Sequence, residues 1–524
     1  MPRFGIFTRG NRIGSIYLAG LKKLFALGGF RCELWLDAEM DLPRRHFGHR
    51  VFAVPAVTAD SVISVPRVSC RLIQGNGVYR LDEAGACIIS DKRLDFVLDC
   101  SEIPVNWSAG IALHGVWRLR YGAAVLGDPP GIVELQRGER TIRIVLERLD
   151  DGRILADAIV PLDRESYANT LAALSDGSAD LPVQVCTRFA ITGNLPALNI
   201  PLPVPAPPIT GARMAACAAS MAARWAASQI RLTFVTEMWN VGVVDAPIES
   251  FLAPGYTPAV EWLPRLRGER FIADPFGVAD REKLTLFVEE FDYDRENGGQ
   301  GYISTVENKS GAPRVIIDEH VHMSYPYPVE YTGQHYCIPE CHKRGSVVLY
   351  RYEDGRWLRD RTLLNDIAAL DSTVFEYAGR WWLFCTLAGD MPDAKLYVWH
   401  ADHLFGPWQP HLLNPVKCDV RSSRPGGTPF EYDGALYRPA QDSSISYGGA
   451  LTINRITALS ETEFDEEPIA HIRPQRPYRD GVHTLSAAGS KTILDGKVME
   501  FRARLAARRF VYKIRHLTHV VSGR

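Results

Sequence analysis

The sequence predicts two fold classes in one chain, an α/β domain over residues 1–193 and an all-β, five-bladed propeller over 231–510. Three observations carry this. The first third alternates short apolar strands with helical segments, as an α/β sheet requires. A stretch with six prolines, "NLPALNIPLPVPAPPITG" at 194–211, marks a change of composition and reads as a semi-rigid spacer. Beyond it one hairpin form recurs, as "VEYTGQHYCIPE" at 329, "FEYAGRWWLFCT" at 375 and "FEYDGALYRPAQ" at 430.

In chain order, "FGIFT" is a strand, "GSIYLAGLKKLFALGG" a helix and "RCELWLD" a second strand. "LDFVLDC", "IRIVLERL" and "GRILADAIVPL" are further strands, and "RESYANTLAAL" closes the domain as a helix. After the spacer, "ARMAACAASMAARWAASQIRL" is an Ala-rich helix, too short and too interrupted by Arg213 and Arg224 to cross a bilayer. Residues 194–230 therefore form the expected connection between the two domains.

Each downstream hairpin joins aromatic-rich strands through a two-residue turn with Gly second, which supplies the positive φ of a tight hairpin. "TILDGKVMEF" reads as a fourth copy and "FGVADREKLTLFVEE" from 276 as a fifth. Gly333, Gly379, Gly434 and Gly496 then follow at intervals of 46, 55 and 62 residues, close to one four-stranded blade each. Innermost strands of a propeller line its channel. Upstream of the turns stand Asp274, then His322, Ser324 and Tyr325, then Asp371, Arg424 and His483. Seven residues after the turn glycines stand Glu340, Thr386 and Gln441, with Asp442 alongside; Glu289 and Glu290 take the comparable place in the first copy. A single Asp or Ser at a strand end is as often a turn cap as a site residue. Five polar residues in one register are not explained that way, and carboxylates, an Arg, a His and aromatics around one axis suit a sugar or phosphosugar. Two carboxylates flanking a glycosidic bond could also hydrolyse it.

"WNVGVV", "FIADPFG", "HMSYPYPVEY", "CIPE", "DSTVFEYAGRWWLFCT", "GPWQPHLLNPV", "SSRPGG", "LYRPAQDSSISYGGAL" and "GVHTLS" resemble the N-terminal propeller of the glucosamine inositolphosphorylceramide transferase family, which bacterial proteins carry behind a formyltransferase-like domain. The resemblance implies a glycan-binding site that includes Tyr447. Asp274-Pro275 and Asp371 are more distantly similar to motifs of five-bladed arabinanase-type glycosidases, which implies catalytic places for Asp274 and Asp371 and a candidate acid at Glu340. "HGVWRLRYGAAVLGDPPGIVELQRGERTIRIVLERLDDGRILAD" at 114–157 resembles the catalytic segment of folate-dependent formyltransferases. Aligned on Gly115-Val116-Trp117, that family's Asn falls at Arg118, its His at Arg120 and its Asp at Asp150. A permanently protonated guanidinium is no general base, so the resemblance implies a formyltransferase-like domain with altered chemistry. Arg118 and Arg120 are either a surface strand face or, with Arg137, Arg140 and Arg143, an anion site.

The net charge of −2 gives no pull toward nucleic acid. Ten cysteines without a CxxC pair read as reduced thiols, and Cys337, Cys341 and His342 lack the second pair a zinc site needs, so no metal is expected. No secretory signal is expected at the start. The basic residues of 511–524 read as a solvated tail, with contact to an acidic membrane surface as the alternative. The leading expectation is a cytoplasmic, transferase-type protein of glycan or glycoconjugate biosynthesis, peripheral to the inner membrane if the tail binds it. Its propeller would bind a sugar, nucleotide sugar or glycolipid headgroup through Asp274, Asp371, Arg424 and Asp442. Three other readings stay open: a formyltransferase acting on an amino sugar or other amine, with 10-formyltetrahydrofolate as cofactor in that case alone; a glycoside hydrolase; and a non-catalytic glycan-binding scaffold.

Overall fold

The protein, a computed structural model, is described over residues 3–9, 12–26, 31–38, 56–58, 67–70, 72–75, 78–108, 110–280, 283–295, 299–307 and 312–521. It divides into two compact units, Met1–Trp225 and Ala226–Arg524.

In the first unit seven strands form one sheet: β1 (Arg3–Arg9), β2 (Arg31–Ala38), β3 (Arg67–Cys70), β4 (Phe96–Asp99), β5 (Val116–Tyr121), β6 (Thr141–Arg148) and β7 (Arg153–Pro161). Their order is β3-β2-β1-β4-β5-β6-β7, with β6 antiparallel to both neighbours and β1 to β5 parallel. Parallel strands are covered on both faces, which explains the continuous apolar run of Phe4, Ile6 and Phe7, all fully buried. The unit's helices are α1 (Ser15–Ala26), α2 (Glu83–Lys92), α3 (Ile132–Arg137), α4 (Tyr167–Ser178) and α5 (Leu181–Thr192). α1 buries the stripe Ile16, Tyr17, Gly20, Leu21 and Leu24 and packs against α4.

The Pro-rich run, expected as a spacer, lies along the first unit instead. Leu198 N–H donates to Ile154 O and Ala206 N–H to Ala123 O, both at 2.9 Å. Prolines remove donors from the run, and the remaining N–H groups find carbonyls on the adjacent sheet and loop. The Ala-rich segment is α6 (Gly211–Phe234). Its first half seats Met214, Cys217 and Met221, at i, i+3 and i+7, against Ala123, Ile132, Val133 and Ile209.

The second unit is the five-bladed propeller. Four blades are continuous in sequence: Arg270–Asp280 to Arg314–Ile317, Ser324–Tyr331 to Arg356–Asn365, Ala369–Tyr377 to Gln409–Pro410, and Phe430–Tyr432 to Phe464–Ile472. The fifth is composite. Leu485–Ala488 and Lys491–Phe501 form its inner strands, and Val235–Val244 and Val260–Trp262, from the other end of the unit, form its outer ones. Thr332–Gly333, Ala378–Gly379 and Asp433–Gly434 all have positive φ at both positions, the type I′ geometry that matches strand twist.

The hairpin of the composite blade, expected to turn at Gly496, differs from expectation. Its turn is at Gly489, φ 61°, and Gly496 lies inside the strand Lys491–Phe501. Gly496 is there for space: a Cβ would come within 2.6 Å of both Trp262 and Tyr478. The expected tail also differs, because strand Lys491–Phe501 gives way to helix α7 (Ala503–Val521). Leu505 and Ala506 bury against the propeller, Arg508 donates to Tyr293 O at 3.2 Å and Arg509 to Val235 O at 3.0 Å. Among the described residues no helix is long and apolar enough to cross a membrane.

Candidate functional site

The inner strands of the first three blades are interrupted at one place. Pairing skips between Ala273 and Phe276, between Ser324 and Tyr327, and between Leu370 and Thr373. These bulges place Asp274 (φ 49°), Tyr325 (φ 45°) and Asp371 (φ 52°) in the left-handed region, at a cost of order 1–3 kcal/mol each. Such strain marks three side chains turned out of the pleat, and it is where the site lies.

Asp274 belongs to a buried relay. His483 Nε2 is 3.3 Å from Asp274 Oδ1, and its Nδ1 is 2.5 Å from Asp495 Oδ2. Asp495 Oδ1 accepts the His483 and Thr484 N–H groups at 2.9 and 3.1 Å. Asp274 accepts the Thr484 hydroxyl at 3.1 Å and Tyr325 N–H at 3.2 Å. Burial pushes the Asp274 carboxyl up to about 6, assisted by Asp371 and Asp495 and opposed by His483. Burial alone would discharge His483, but the Asp495 and Asp274 carboxylates outweigh it and raise its pKa. The ligand-type atoms of Asp274, His483 and Asp495 lie within 4.8 Å of one another, close enough for a cation. With a carboxylate facing each ring nitrogen, the charge that fits without any ion is a proton on the imidazole.

Asp371 centres a second network. Its Oδ2 accepts Arg424 Nε at 2.6 Å and Gln441 Nε2 at 2.7 Å, and its N–H donates to Glu340 Oε2 at 3.3 Å. Arg424 continues to Asp393 Oδ1 at 3.0 Å and lies 5.1 Å from the Tyr447 ring centre. Burial pushes the Asp371 carboxyl up to about 6 against the pull of Arg424, with Glu340 adding to the rise.

Above the bulges, the sixth residue after the start of each second strand falls in one register: Glu289, Glu340, Thr386, Gln441 and Lys497. All five are buried. Burial, reinforced by Asp274 and Glu340, holds the Glu289 carboxyl well above its usual range. Burial lowers Lys497, whose Nζ donates to Tyr447 O and lies 4.9 Å from the Trp239 ring centre. Trp239 stacks on His483 at 4.0 Å. Thr386 Oγ1 and Gln441 Oε1 are buried and have no hydrogen-bond partner among the described residues.

Several sequence-predicted residues take other places. Tyr325 is fully buried and seals the channel: its OH accepts Gly427 N–H at 2.9 Å and lies 2.9 Å from Thr373 Oγ1. Ser324 is buried opposite Glu340. Asp442 caps Ser444 N–H at 2.9 Å and faces His471 at 3.7 Å, because strand alternation turns it to the other side of the blade from Gln441. His322 accepts Gly301 N–H at 3.0 Å and faces Glu289 at 3.9 Å, and burial pushes it down to about 4. Glu290 pairs with Arg270 at 3.0 Å.

In the first unit Arg118 is neither a surface residue nor an open anion site. It is buried, donates to Ile103 O at 3.1 Å and is ion-paired with Asp99. Arg120 pairs with Glu147 at 3.2 Å, and Arg143 pairs with Asp157. Each of these three guanidiniums finds a carboxylate on an adjoining strand. Asp150 Oδ1 accepts Val116 N–H at 2.9 Å and sits where a Cβ on Gly115 would stand, which ties it to the strand.

Sequence reasoning missed Asp495, Lys497 and Trp239. The first two follow from the misplaced fifth turn, since counting from Gly489–Ser490 puts Lys497 in the register of Gln441. Trp239 is on an outer strand of the composite blade and carries no local signal.

Residues 265–479 match the family model described as glucosamine inositolphosphorylceramide transferase 1, N-terminal. The match spans the four continuous blades and omits the composite one. It includes Asp274, Asp371, Arg424 and Gln441 and excludes His483, Asp495 and Lys497. The chain is 33% identical over 210 residues to glucosamine inositolphosphorylceramide transferase 1 of Oryza sativa subsp. japonica, covering 38% of this chain and 28% of that protein. It is 32% identical over 207 residues to the protein of the same name from Arabidopsis thaliana, with 37% and 27% covered. The chain thus spans little more than a quarter of the length of these plant relatives. Among solved structures, a family 117 glycoside hydrolase of Zobellia galactanivorans aligns with TM-score 0.33 and 14% identity, covering 45% of this chain and 88% of that one. The α-L-arabinofuranosidase PaAbf62A of Podospora anserina aligns with TM-score 0.34 and 12% identity, covering 43% and 79%.

Proposed function

We propose that the propeller holds the sugar headgroup of a glycolipid or related glycoconjugate, as the recognition module of a transferase-type protein in glycoconjugate biosynthesis. The observation that carries this reading is the ring of Glu289, Glu340, Thr386, Gln441 and Lys497, in which Thr386 Oγ1 and Gln441 Oε1 have no hydrogen-bond partner among the described residues. An unpaired buried polar atom costs about 1–3 kcal/mol, and sugar hydroxyls are the groups that would satisfy both atoms. The half-exposed Tyr447 supplies an aromatic face for a sugar ring. The plant relatives are named for a transferase of glucosamine and inositolphosphorylceramide, which supports a headgroup of that class. The carboxylates of Asp274 and Asp371 already accept internal donors, which favours binding over hydrolysis.

In calorimetric titrations of the full-length protein with inositol phosphate, glucosamine, glucuronate and glucose, at least one compound is expected to bind. Thr386→Val should weaken that binding about 3- to 10-fold and Tyr447→Ala about 10-fold. Binding of none of the four, or equal binding by all three proteins, refutes the reading.

The first unit is proposed to keep a formyltransferase-like scaffold without formyl transfer, supported by the strand order β3-β2-β1-β4-β5-β6-β7 and by Arg118 and Arg120 being consumed in ion pairs. The ten free thiols support a cytoplasmic placement. Contact with a lipid surface belongs to the same proposal. Phe501 stands four residues beyond Lys497, and Phe234, Phe501, Phe510 and Tyr512 are exposed beside the basic start of α7. In co-sedimentation with vesicles containing phosphatidylglycerol, Phe510→Glu should reduce the bound fraction several-fold. An unchanged bound fraction removes this contact.

A further inference from the structure

The first unit has a cationic groove. It runs between α6 and the end of α3, and its cavity measures about 350 Å³. Arg213, Ala216, Cys217, Ser220, Met221 and Arg224 line one wall. Their spacing of i, i+3, i+4, i+7, i+8 and i+11 makes them a single helical stripe, with a guanidinium at each end. At 1.5 Å per residue the two Cα atoms are about 16 Å apart, a gap that two arginine side chains can largely close. Arg164, from the connection between β7 and α4, faces them from the opposite wall together with Leu135 and Gln136. Gln136 donates to Arg213 O at 3.1 Å and fixes the two walls together.

Charge makes this groove unlike the ion pairs on the neighbouring sheet. Arg118, Arg120 and Arg143 each have a carboxylate. Among the described residues Arg164, Arg213 and Arg224 have none within ion-pair distance. Burial lowers the pKa of Arg164, and the like charges of Arg224 and Arg140 lower it further. Gathered like charges repel, and the repulsion is relieved when an anion enters between them. Guanidinium forks suit phosphate oxygens in particular. The middle of the stripe is different: Ala216, Cys217 and Met221 offer an apolar floor with one hydroxyl, Ser220, beside it. Such a floor suits the organic part of a ligand, and a groove of this volume is in the range of small-molecule sites.

We propose that this groove binds an elongated organic anion with at least two phosphate charges, a diphosphate ester being the class that fits. Its charged portion lies between Arg164 and the arginines of α6, and its organic portion lies on the Ala216–Met221 stripe. The site is independent of the propeller and of the headgroup reading.

Titration calorimetry on the full-length protein, with sodium pyrophosphate, uridine diphosphate and orthophosphate at constant ionic strength, tests it. Pyrophosphate is expected to bind one to one and uridine diphosphate more tightly, with orthophosphate at least several-fold weaker. Arg164→Gln and Arg224→Gln should each weaken pyrophosphate about tenfold or more, whereas Tyr447→Ala in the propeller leaves it unchanged. Far-ultraviolet circular dichroism melts establish that the glutamine variants are folded; should either unfold, Arg213→Gln, at an exposed helix position, is read in its place. Four outcomes overturn the proposal: orthophosphate binding as tightly as pyrophosphate, a parent protein that does not bind pyrophosphate, glutamine variants that bind like the parent, and phosphatidylglycerol vesicles that bind through these arginines without competition from pyrophosphate.

Discussion

Arg424→Met lowers the stability of the propeller by about 3–5 kcal/mol, the cost typical of removing one partner from a buried ion pair. Among the described residues Arg424 is the only cation bonded to the Asp371 carboxylate, at 2.6 Å, and both are buried; without it Gln441 would face that charge. The carboxyl would then take up a proton, and the bulge that presents it would lose its reason to stay strained. Urea denaturation followed by tryptophan fluorescence measures the loss. The double variant Arg424→Met/Asp371→Asn should recover most of it, because no charge is left stranded. A single-variant loss below about 1 kcal/mol, the range of exposed ion pairs, would mean that the Asp371 network is solvated and open.

Acidity gives the second large effect. The Asp274 carboxyl is raised from 3.8 to about 6 by burial, so the stability it contributes is complete below about pH 4 and lost as pH rises through about 6. His483 is also raised, and its contribution likewise fades as pH rises through its folded value. Both act in one direction. The propeller is therefore more stable at pH 5 than at pH 7.5, by about 1–1.5 kcal/mol from Asp274 alone because its unfolded form is already ionised at pH 5, and His483 adds to this in the same direction. Glu466 behaves oppositely: burial opposes it, but Arg438 and Lys417 hold it low, so its contribution disappears only as pH falls below the usual carboxylate range. The window from 5 to 7.5 separates the two. Scanning calorimetry of the parent and of Asp274→Asn reads the difference. The variant should show a flatter profile, and equal slopes would place the titration elsewhere.

The propeller was legible because its hairpins announce themselves locally: Thr-Gly, Ala-Gly and Asp-Gly pairs between aromatic strands can hardly be anything else. The same rule misled at Asp495-Gly496. An Asp-Gly pair there sits mid-strand, and what decides it is the bulk of Trp262 and Tyr478, residues distant in sequence. Asp495 consequently looked like a turn residue when it is the carboxylate that fixes His483. The polar register of Asp274, Asp371 and Arg424 was readable, since polar residues in apolar strands need a reason. What could not be read is which of them remain accessible. Tyr325 stands in the same register as Asp274, yet its hydroxyl crosses the channel to the Gly427 backbone, a contact between blades that no local pattern encodes. In the first unit the strand sequence was legible and the partners of Arg118 and Arg120 were not, because Asp99 and Glu147 meet them only across neighbouring strands.

The composite blade has a consequence for how this chain came to be assembled. Val235 pairs with Phe501, so the polypeptide enters and leaves the propeller at one point. A domain with both ends together behaves as a cassette: it can be appended, inserted or moved without threading a linker around its circumference. The matching domain stands at the N-terminus of the plant transferases, while here it follows an α/β unit. The match stops short of the composite blade, so His483, Asp495 and Lys497 lie beyond the matched residues, beside the point where the chain closes the ring.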